Sequence, residues 1–257
     1  MKMIRDLAVV RVERPVEGHV FLHLQSPAEL PEIAPGNFAQ IRIPGSTPTL
    51  LRRPFSIHDT DIKANLLTFY IKIVGEGTRA LGRVKAGDRL NVIYPLGNSF
   101  TIRKGVKALL IGGGSGIAPL KLLAKNLRES GCRITFLFGG KSREDVFYAG
   151  EFEGFGPVHL TTENGSVGEK GLVTDHPLLN SWMEDTDILY TCGPEPMMKA
   201  VARLAAGRGI ECEASLENLM ACGFGVCLCC ITPTADGNLR VCMEGPVFNT
   251  KKLTWLT

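Results

Sequence analysis

The chain carries two hydrophobic periods, and the change between them falls near residue 104. Before it, Val20, Leu22 and Leu24 are interleaved with His23 and Gln25, and Leu67, Phe69, Ile71 and Ile73 with Thr68, Tyr70 and Lys72. A period of two is that of half-buried antiparallel strands. Several such runs, separated by Gly, Pro and Asn turns, predict a small barrel with one short helix after Gly77-Thr78. Beyond residue 104 an apolar run at 108–111 and strand-like segments at 134–138, 158–161 and 188–191 alternate with helical spacing over 117–128, around Asp145, near 173–182 and over 196–206. Strands alternating with helices predict a doubly wound parallel sheet. After Glu211-Cys212-Glu213-Ala214-Ser215 the composition shifts to cysteine, followed by a hairpin expected to turn at Asp236-Gly237. The expected organisation is a barrel over 1–103, an α/β domain over 104–215 and a small module over 216–257, with no internal repeat.

Length and composition narrow the class. The chain has 257 residues, of which 44% are hydrophobic and 21% charged, enough for a packed core and unlike a disordered chain or a fibre. A net charge of +3, evenly spread, leaves neither a nucleic-acid footprint nor a polybasic membrane anchor. Charges recur from Lys2 and Arg5 onward, so no export signal is expected. The longest uncharged stretch, 218–235, is broken by four Cys, two Gly and one Pro, which no membrane span would carry. The expected location is the reducing cytoplasm, where thiolates stay free to bind metal.

Three groups of residues carry candidate chemistry. In the first, strand, glycine turn and helix follow one another at Gly112-Gly113-Gly114-Ser115-Gly116. Such a turn brings backbone amides close to a phosphate, although the spacing departs from Gly-x-Gly-x-x-Gly and tight packing alone also explains it. The second is Arg53-Pro54-Phe55-Ser56, with Gly75-Glu76-Gly77-Thr78 further on: an arginine to neutralise a diphosphate, an aromatic for a planar ring and a hydroxyl for a ring nitrogen, or else a charged edge strand and its turn. The third is sharper. Cys222-x4-Cys227-x2-Cys230, then Cys242 after eleven residues, has the plant-type spacing of a [2Fe-2S] centre, with four-thiolate zinc as the competitor. Gly223 and Gly225 let this loop fold tightly, and Cys229 is a spare thiol. Cys192-Gly193-Pro194 falls at the carboxyl end of a sheet strand, where a nicotinamide contact or simply a small buried thiol fits. Glu217 reads as a solvated loop residue.

Taken together, Leu51-Arg52-Arg53-Pro54-Phe55-Ser56-Ile57, Ile71-Lys72-Ile73-Val74-Gly75-Glu76-Gly77-Thr78, Gly112 to Leu120, Cys192-Gly193-Pro194 and the cysteines ending in Cys242-Met243-Glu244-Gly245-Pro246-Val247-Phe248 resemble the ferredoxin reductase-like flavoproteins. Within them, the chain resembles most the electron-transfer subunits of class B dihydroorotate dehydrogenases, over nearly its whole length. The resemblance implies an antiparallel flavin-binding β-barrel, a doubly wound parallel-sheet NAD-binding domain and a small C-terminal [2Fe-2S] module. It implies FAD held by Arg53, Pro54, Phe55, Ser56, Tyr70, Ile71, Lys72, Gly77 and Thr78, and NAD held by Gly112, Gly113, Gly114, Gly116, Cys192 and Gly193. The cluster is then held by Cys222, Cys227, Cys230 and Cys242, and the expected catalytic residues are Ser56, polarising the flavin nitrogen that receives hydride, and Cys192.

The implied activity is hydride exchange between NADH and FAD, with single electrons relayed through the cluster to or from the FMN of a dihydroorotate dehydrogenase catalytic subunit in pyrimidine biosynthesis. Two copies of each chain would form a heterotetramer. Lys141-Ser142-Arg143 is suited to the extra phosphate of NADP, whereas the resemblance implies NAD. The alternatives are a sulfhydrogenase diaphorase subunit, a subunit of an NADH-dependent ferredoxin:NADP reductase, and, from another class, a redox- or zinc-sensing binding module without turnover.

Overall fold

The computed structural model describes residues 2–45, 50–182 and 185–256. The first half forms β1 (Met3–Glu13), β2 (His19–Gln25), β3 (Phe38–Ile41), β4 (Arg53–Ser56), β5 (Asp59–Asp61), β6 (Leu66–Lys72), helix α1 (Glu76–Leu81) and β7 (Arg89–Leu96). These strands make one antiparallel sheet in the order β4-β3-β7-β1-β2-β6-β5, curled until β4 approaches β6. Alternation decides what fills it: Val20, Leu22, Leu24, Leu67, Phe69 and Ile71 point into the barrel core. Their neighbours Phe21 and Tyr70 point out and are buried as well, because the second domain covers that face.

The second domain contains β8 (Lys107–Gly113), α2 (Leu120–Glu129), β9 (Arg133–Gly140), β10 (Val158–Thr162), β11 (Glu169–Lys170), α3 (Leu178–Trp182), β12 (Ile188–Cys192), α4 (Glu195–Gly207) and β13 (Glu211–Ser215). Its sheet runs β11-β10-β9-β8-β12-β13, all parallel. Helix α2 lays Leu120, Leu123 and Leu127 on one face of the sheet and turns Leu122 into the barrel core, so one amphipathic helix joins the two domains. On the opposite face, Val201 and Ala205 of α4 pack on Leu109, Ile111 and Leu189. The chain leaves β8 toward β9 on one side, while β12 lies on the other, so the carboxyl ends of β8 and β12 form the switch point at which open α/β sheets bind ligands.

Two predicted helices are shorter than the apolar spacing suggests. Around Asp145 the chain makes only 3-10 turns at Arg143–Asp145 and Ala149–Phe152, in a segment where Gly150, Gly154 and Gly156 weaken a helix. Near 173–182, Pro177 divides the segment into a 3-10 turn, Val173–Asp175, and the short α3. The tail forms the expected hairpin, β14 (Ile231–Thr234) and β15 (Gly237–Arg240), but it turns at Ala235-Asp236, one residue earlier than expected, because Gly237 already pairs with Thr234. Then β16 (Val247–Asn249) pairs antiparallel with β13 as the last strand of the second sheet. Buried Cys230, Val241, Cys242 and Phe248 of the tail share one cluster with Phe38, Ile93 and Leu96 of the barrel, so the tail is packed against both domains. Among the described residues, no helix is long and apolar enough to cross a membrane.

Candidate functional site

The barrel and the second domain meet around a set of aromatic rings: His19, Phe21, His58 and Tyr70 from the barrel, Phe147 and Tyr148 from the loop after β9. Polar links fix the approach. The Lys72 ammonium pairs with Asp145 at 2.5 Å, Lys125 with Asp59 at 2.5 Å, and His58 Nδ1 donates to the Ala118 carbonyl at 2.7 Å. Burial alone would raise the Asp145 carboxyl; the Lys72 hydrogen bond and charge, with the amides of Lys141 and Ser142, hold it below its ordinary value. His58 is sealed from water and pushed down to about 4 by that burial.

A cleft of about 460 Å³ opens between the domains. Arg53, Pro54, Phe55 and Ser56 of β4 line it together with Tyr70, Lys72 and Thr78. Ile71, between the last two strand residues, points into the barrel and can meet a ligand only through its backbone. Gly77 lies beside the cleft in a shallower groove of about 650 Å³, again with Arg53 and Thr78, where a Cβ would meet the Arg53 side chain. The spacing of β4, α1 and the end of β6 thus converges on one surface.

A second cavity, of about 400 Å³, lies at the carboxyl edge of the sheet and is lined by Gly113, Gly114, Gly140, Lys141, Glu163 and Pro194. Lys72 lines both it and the cleft, and a smaller space of about 330 Å³ holding Gly114, Ser115, Gly116, Gly193 and Glu217 lies between them. Gly112 is enclosed beneath α2, where a Cβ would meet Ile117 and Leu120. At Gly116 a Cβ would come 2.4 Å from the Cys192 carbonyl oxygen, so this glycine is what allows the loop to rest on the Cys192-Gly193 turn. Cys192 itself has no exposed surface, and burial, followed by the Glu217 charge, drives its thiol well above the ordinary value: a neutral group beneath the surface and outside the lining of these cavities.

Glu217 is an exposed loop residue, as expected, and it also lines the cavities. Its exposed side chain borders the cleft and the small cavity, where desolvation by the surrounding protein raises its carboxyl. Its position two residues after β13, at the carboxyl edge of the sheet, is the signal that marks it. Asp145 carries no such signal, and the pairing of the expected Lys72 with it depends on how the two domains dock. Of the basic pair, Lys141 lines the cavity, whereas the Arg143 guanidinium turns away to the Ser166 carbonyl at 3.0 Å.

The cysteines stand in two pairs, Cys222 with Cys227 and Cys230 with Cys242, the last linked by the Cys242 amide to the Cys230 sulfur at 3.4 Å. Among the described residues, no three or more His, Cys, Asp or Glu side chains form a ready metal cage. The donor chemistry nevertheless fits an iron–sulfur centre. Burial works to raise the Cys222 thiol, but the amides of Cys227, Phe224 and Val226 converge on its sulfur and lower it to about 6. Gly223 and Gly225, at φ of +78° and +87°, give the loop the left-handed turns that aim those amides inward. Cys242 is pushed up to about 12 by burial and by the adjoining Cys230 sulfur. Cys229 is exposed while Cys230 is buried, so the chain turns the spare thiol outward.

Comparison with known proteins agrees with this arrangement. Residues 217–254 match the iron–sulfur cluster binding domain of dihydroorotate dehydrogenase B, and residues 110–203 the oxidoreductase NAD-binding domain. The chain is 38% identical to the dihydroorotate dehydrogenase B (NAD(+)) electron transfer subunit of Bacillus velezensis over 85% of its own length and 86% of the relative's. To the same subunit of Shouchella clausii it is 37% identical, over 96% and 95%. Among solved structures, an NADH-dependent reduced ferredoxin-NADP oxidoreductase superimposes with a TM-score of 0.87 at 31% identity, covering 97% of this chain and 90% of that one. The ferredoxin reductase of carbazole 1,9a-dioxygenase gives 0.69 at 25% identity, over 81% and 67%. An antiparallel barrel, a doubly wound sheet and a cysteine-rich tail, arranged around one cleft and matched over most of their length, place this chain in the family of dihydroorotate dehydrogenase B (NAD(+)) electron transfer subunits.

Proposed function

We propose that this chain takes electron pairs from NADH and relays single electrons to a catalytic partner that oxidises or forms dihydroorotate, the partner carrying FMN and joining it as two copies of each chain. The flavin is assigned to residues 1–103, the dinucleotide to 104–215 and the cluster to 216–257, in the cytoplasm. One observation supports the reading: the cleft, the sheet-edge cavity and the cysteine loop adjoin one another. The cleft and the sheet-edge cavity share Lys72, and the segment 215–220 lining the cleft runs directly into the cysteine loop, with Met220 packed on the cluster that contains Cys230 and Cys242.

FAD bound in the cleft would accept a hydride and surrender its electrons singly to an iron–sulfur centre. The chain's own part is positioning. Arg53 would offset a diphosphate, Phe55 and Tyr70 would offer aromatic faces to a flavin ring, and the Ser56 hydroxyl would be the donor to the ring nitrogen that takes the hydride. Gly113, Gly114 and Gly116 would admit the nicotinamide end of the dinucleotide, with Gly193 and the neutral Cys192 thiol behind them. Glu163 suits the ribose hydroxyls of NAD and opposes the added phosphate of NADP. Cys222, Cys227, Cys230 and Cys242 would hold the cluster, with Cys229 outside it.

Anaerobically purified protein is expected to contain flavin, iron and sulfide, to be bleached by NADH, and to form orotate with an FMN-bearing dihydroorotate-oxidising subunit. Material with neither iron nor flavin would sink the reading. A second reading, an electron-input subunit of a ferredoxin-NADP oxidoreductase, is favoured by the 0.87 superposition. Turnover with that partner's large subunit and none with dihydroorotate would establish it instead.

A further inference from the structure

Strand β3 reads Phe38, Ala39, Gln40, Ile41, and all four are buried. Alternation sends Ala39 and Ile41 into the barrel core, and Phe38 outward into the cluster shared with Cys230, Val241 and Cys242. Gln40 takes the side of Phe38. It has no exposed surface, and neither its Oε1 nor its Nε2 has a hydrogen-bond partner. A Cβ on Gly223 would lie 2.8 Å from Gln40 Cγ and 2.9 Å from Nε2, so the amide rests against the backbone immediately after Cys222.

A buried amide left unpaired costs about 1–3 kcal/mol, and nearly all such groups in folded proteins find a partner. A methionine or leucine would fill this position without that cost. Among the described residues nothing pairs with the Gln40 amide, and the cysteine loop lies beside it.

We infer that the Gln40 side-chain amide donates a hydrogen bond to a sulfur of the iron–sulfur centre and thereby raises the centre's reduction potential, an inference that rests on the reading of the four cysteines above. Four thiolates and the bridging sulfides leave such a centre negative, and reduction adds to that charge. A fixed N–H in a dry, low-dielectric setting therefore stabilises the reduced form more than the oxidised one. It enters from the barrel, so the flavin domain itself would tune the acceptor to which its electrons pass.

The test is an EPR-monitored redox titration of the full chain, preceded by iron and sulfide analysis. Wild-type protein without iron and sulfide would remove the cluster reading itself. With the cluster present, Gln40→Leu should retain it, and at a fixed ambient potential its ratio of oxidised to reduced centre should rise about tenfold, equivalent to 59 mV for one electron. Gln40→Glu, which keeps the shape but presents an acceptor, should move the ratio in the same direction. A Gln40→Leu protein with full cluster and an unchanged ratio overturns the inference. The wild-type protein answers independently of folding in any variant. The chain has two glutamines, and Gln25 is bonded to the Ala64 carbonyl at 3.2 Å on the outer edge of the barrel. Labelling glutamine side-chain amides with ¹⁵N should therefore add a nitrogen coupling to the pulsed EPR spectrum of the reduced centre. Its absence overturns the inference.

Discussion

Arg53 and His58 sit at the two ends of one short segment and meet opposite environments. Arg53 borders the cleft, with its guanidinium hydrogen-bonded to the Leu51 carbonyl at 2.9 Å and its side chain beside Gly77. Arg53→Ala removes the countercharge proposed for the flavin diphosphate. A charge-assisted hydrogen bond of about 1.5–3 kcal/mol corresponds to roughly 10- to 100-fold weaker retention of FAD. Flavin absorbance per protein after dialysis measures it, and full occupancy in the variant would deny Arg53 that role. His58 is a residue of the interface. Burial lowers its folded pKa to about 4 from the ordinary 6.5, so the unfolded chain binds a proton in a range where the folded chain does not. The stability it confers is complete above about pH 6.5 and is lost as pH falls toward 4, by roughly 3 kcal/mol at the acid end. Urea midpoints measured from pH 7.5 to 4.5 should fall less steeply in His58→Gln than in the wild type. Equal slopes would rule His58 out. The Arg-Pro-Phe-Ser segment was legible from its residue types, whereas His58 was not, because its character comes from the Ala118 carbonyl and the rings of the other domain.

At the scale of elements, the turn after β8 depends on a contact between two turns. A Cβ at Gly116 meets the Cys192 carbonyl oxygen at 2.4 Å, and backbone cannot give way as a flexible side chain would. Gly116→Ala should therefore lift the loop, destabilise the protein by about 1–3 kcal/mol as overpacking does, and raise KM for NADH while flavin content stays unchanged. An unaltered KM would show that the loop does not touch the nicotinamide end. Strands announced themselves in the sequence through alternation and continuous apolar runs, and the cysteine spacing marked its loop. The segments that failed to become helices, around Asp145 and Val173, are those where Gly and Pro compete with apolar spacing. Their apolar residues are still buried, Val146 and Phe152 in one core cluster and Val173 in another, so the sequence pattern reported burial correctly and periodicity poorly.

The whole molecule is organised so that no single domain owns the cleft. β4 and β6 supply one wall, the glycine loop another, and the segment after β13 the floor, while the Lys72–Asp145 pair and α2 hold the walls in register. None of this docking was readable from one sequence, since it joins residues 60 to 73 positions apart through contacts that leave no local signature. The closing of β16 onto β13 is the same kind of feature: it fixes the cysteine tail to the nucleotide sheet, while Phe38 and Gln40 fix it to the barrel. The consequence is separability of two activities. Cys227 is exposed at the tip of the loop, away from the cleft lining, so Cys227→Ser should disable the relay without disturbing the cavities. NADH oxidation by an artificial two-electron acceptor should persist near the wild-type rate, and electron delivery to the catalytic partner should be abolished. Were delivery to survive in that variant with the cluster demonstrably lost, electrons would have to pass from the cleft to the partner directly, and the tail would be a structural clamp rather than a conductor.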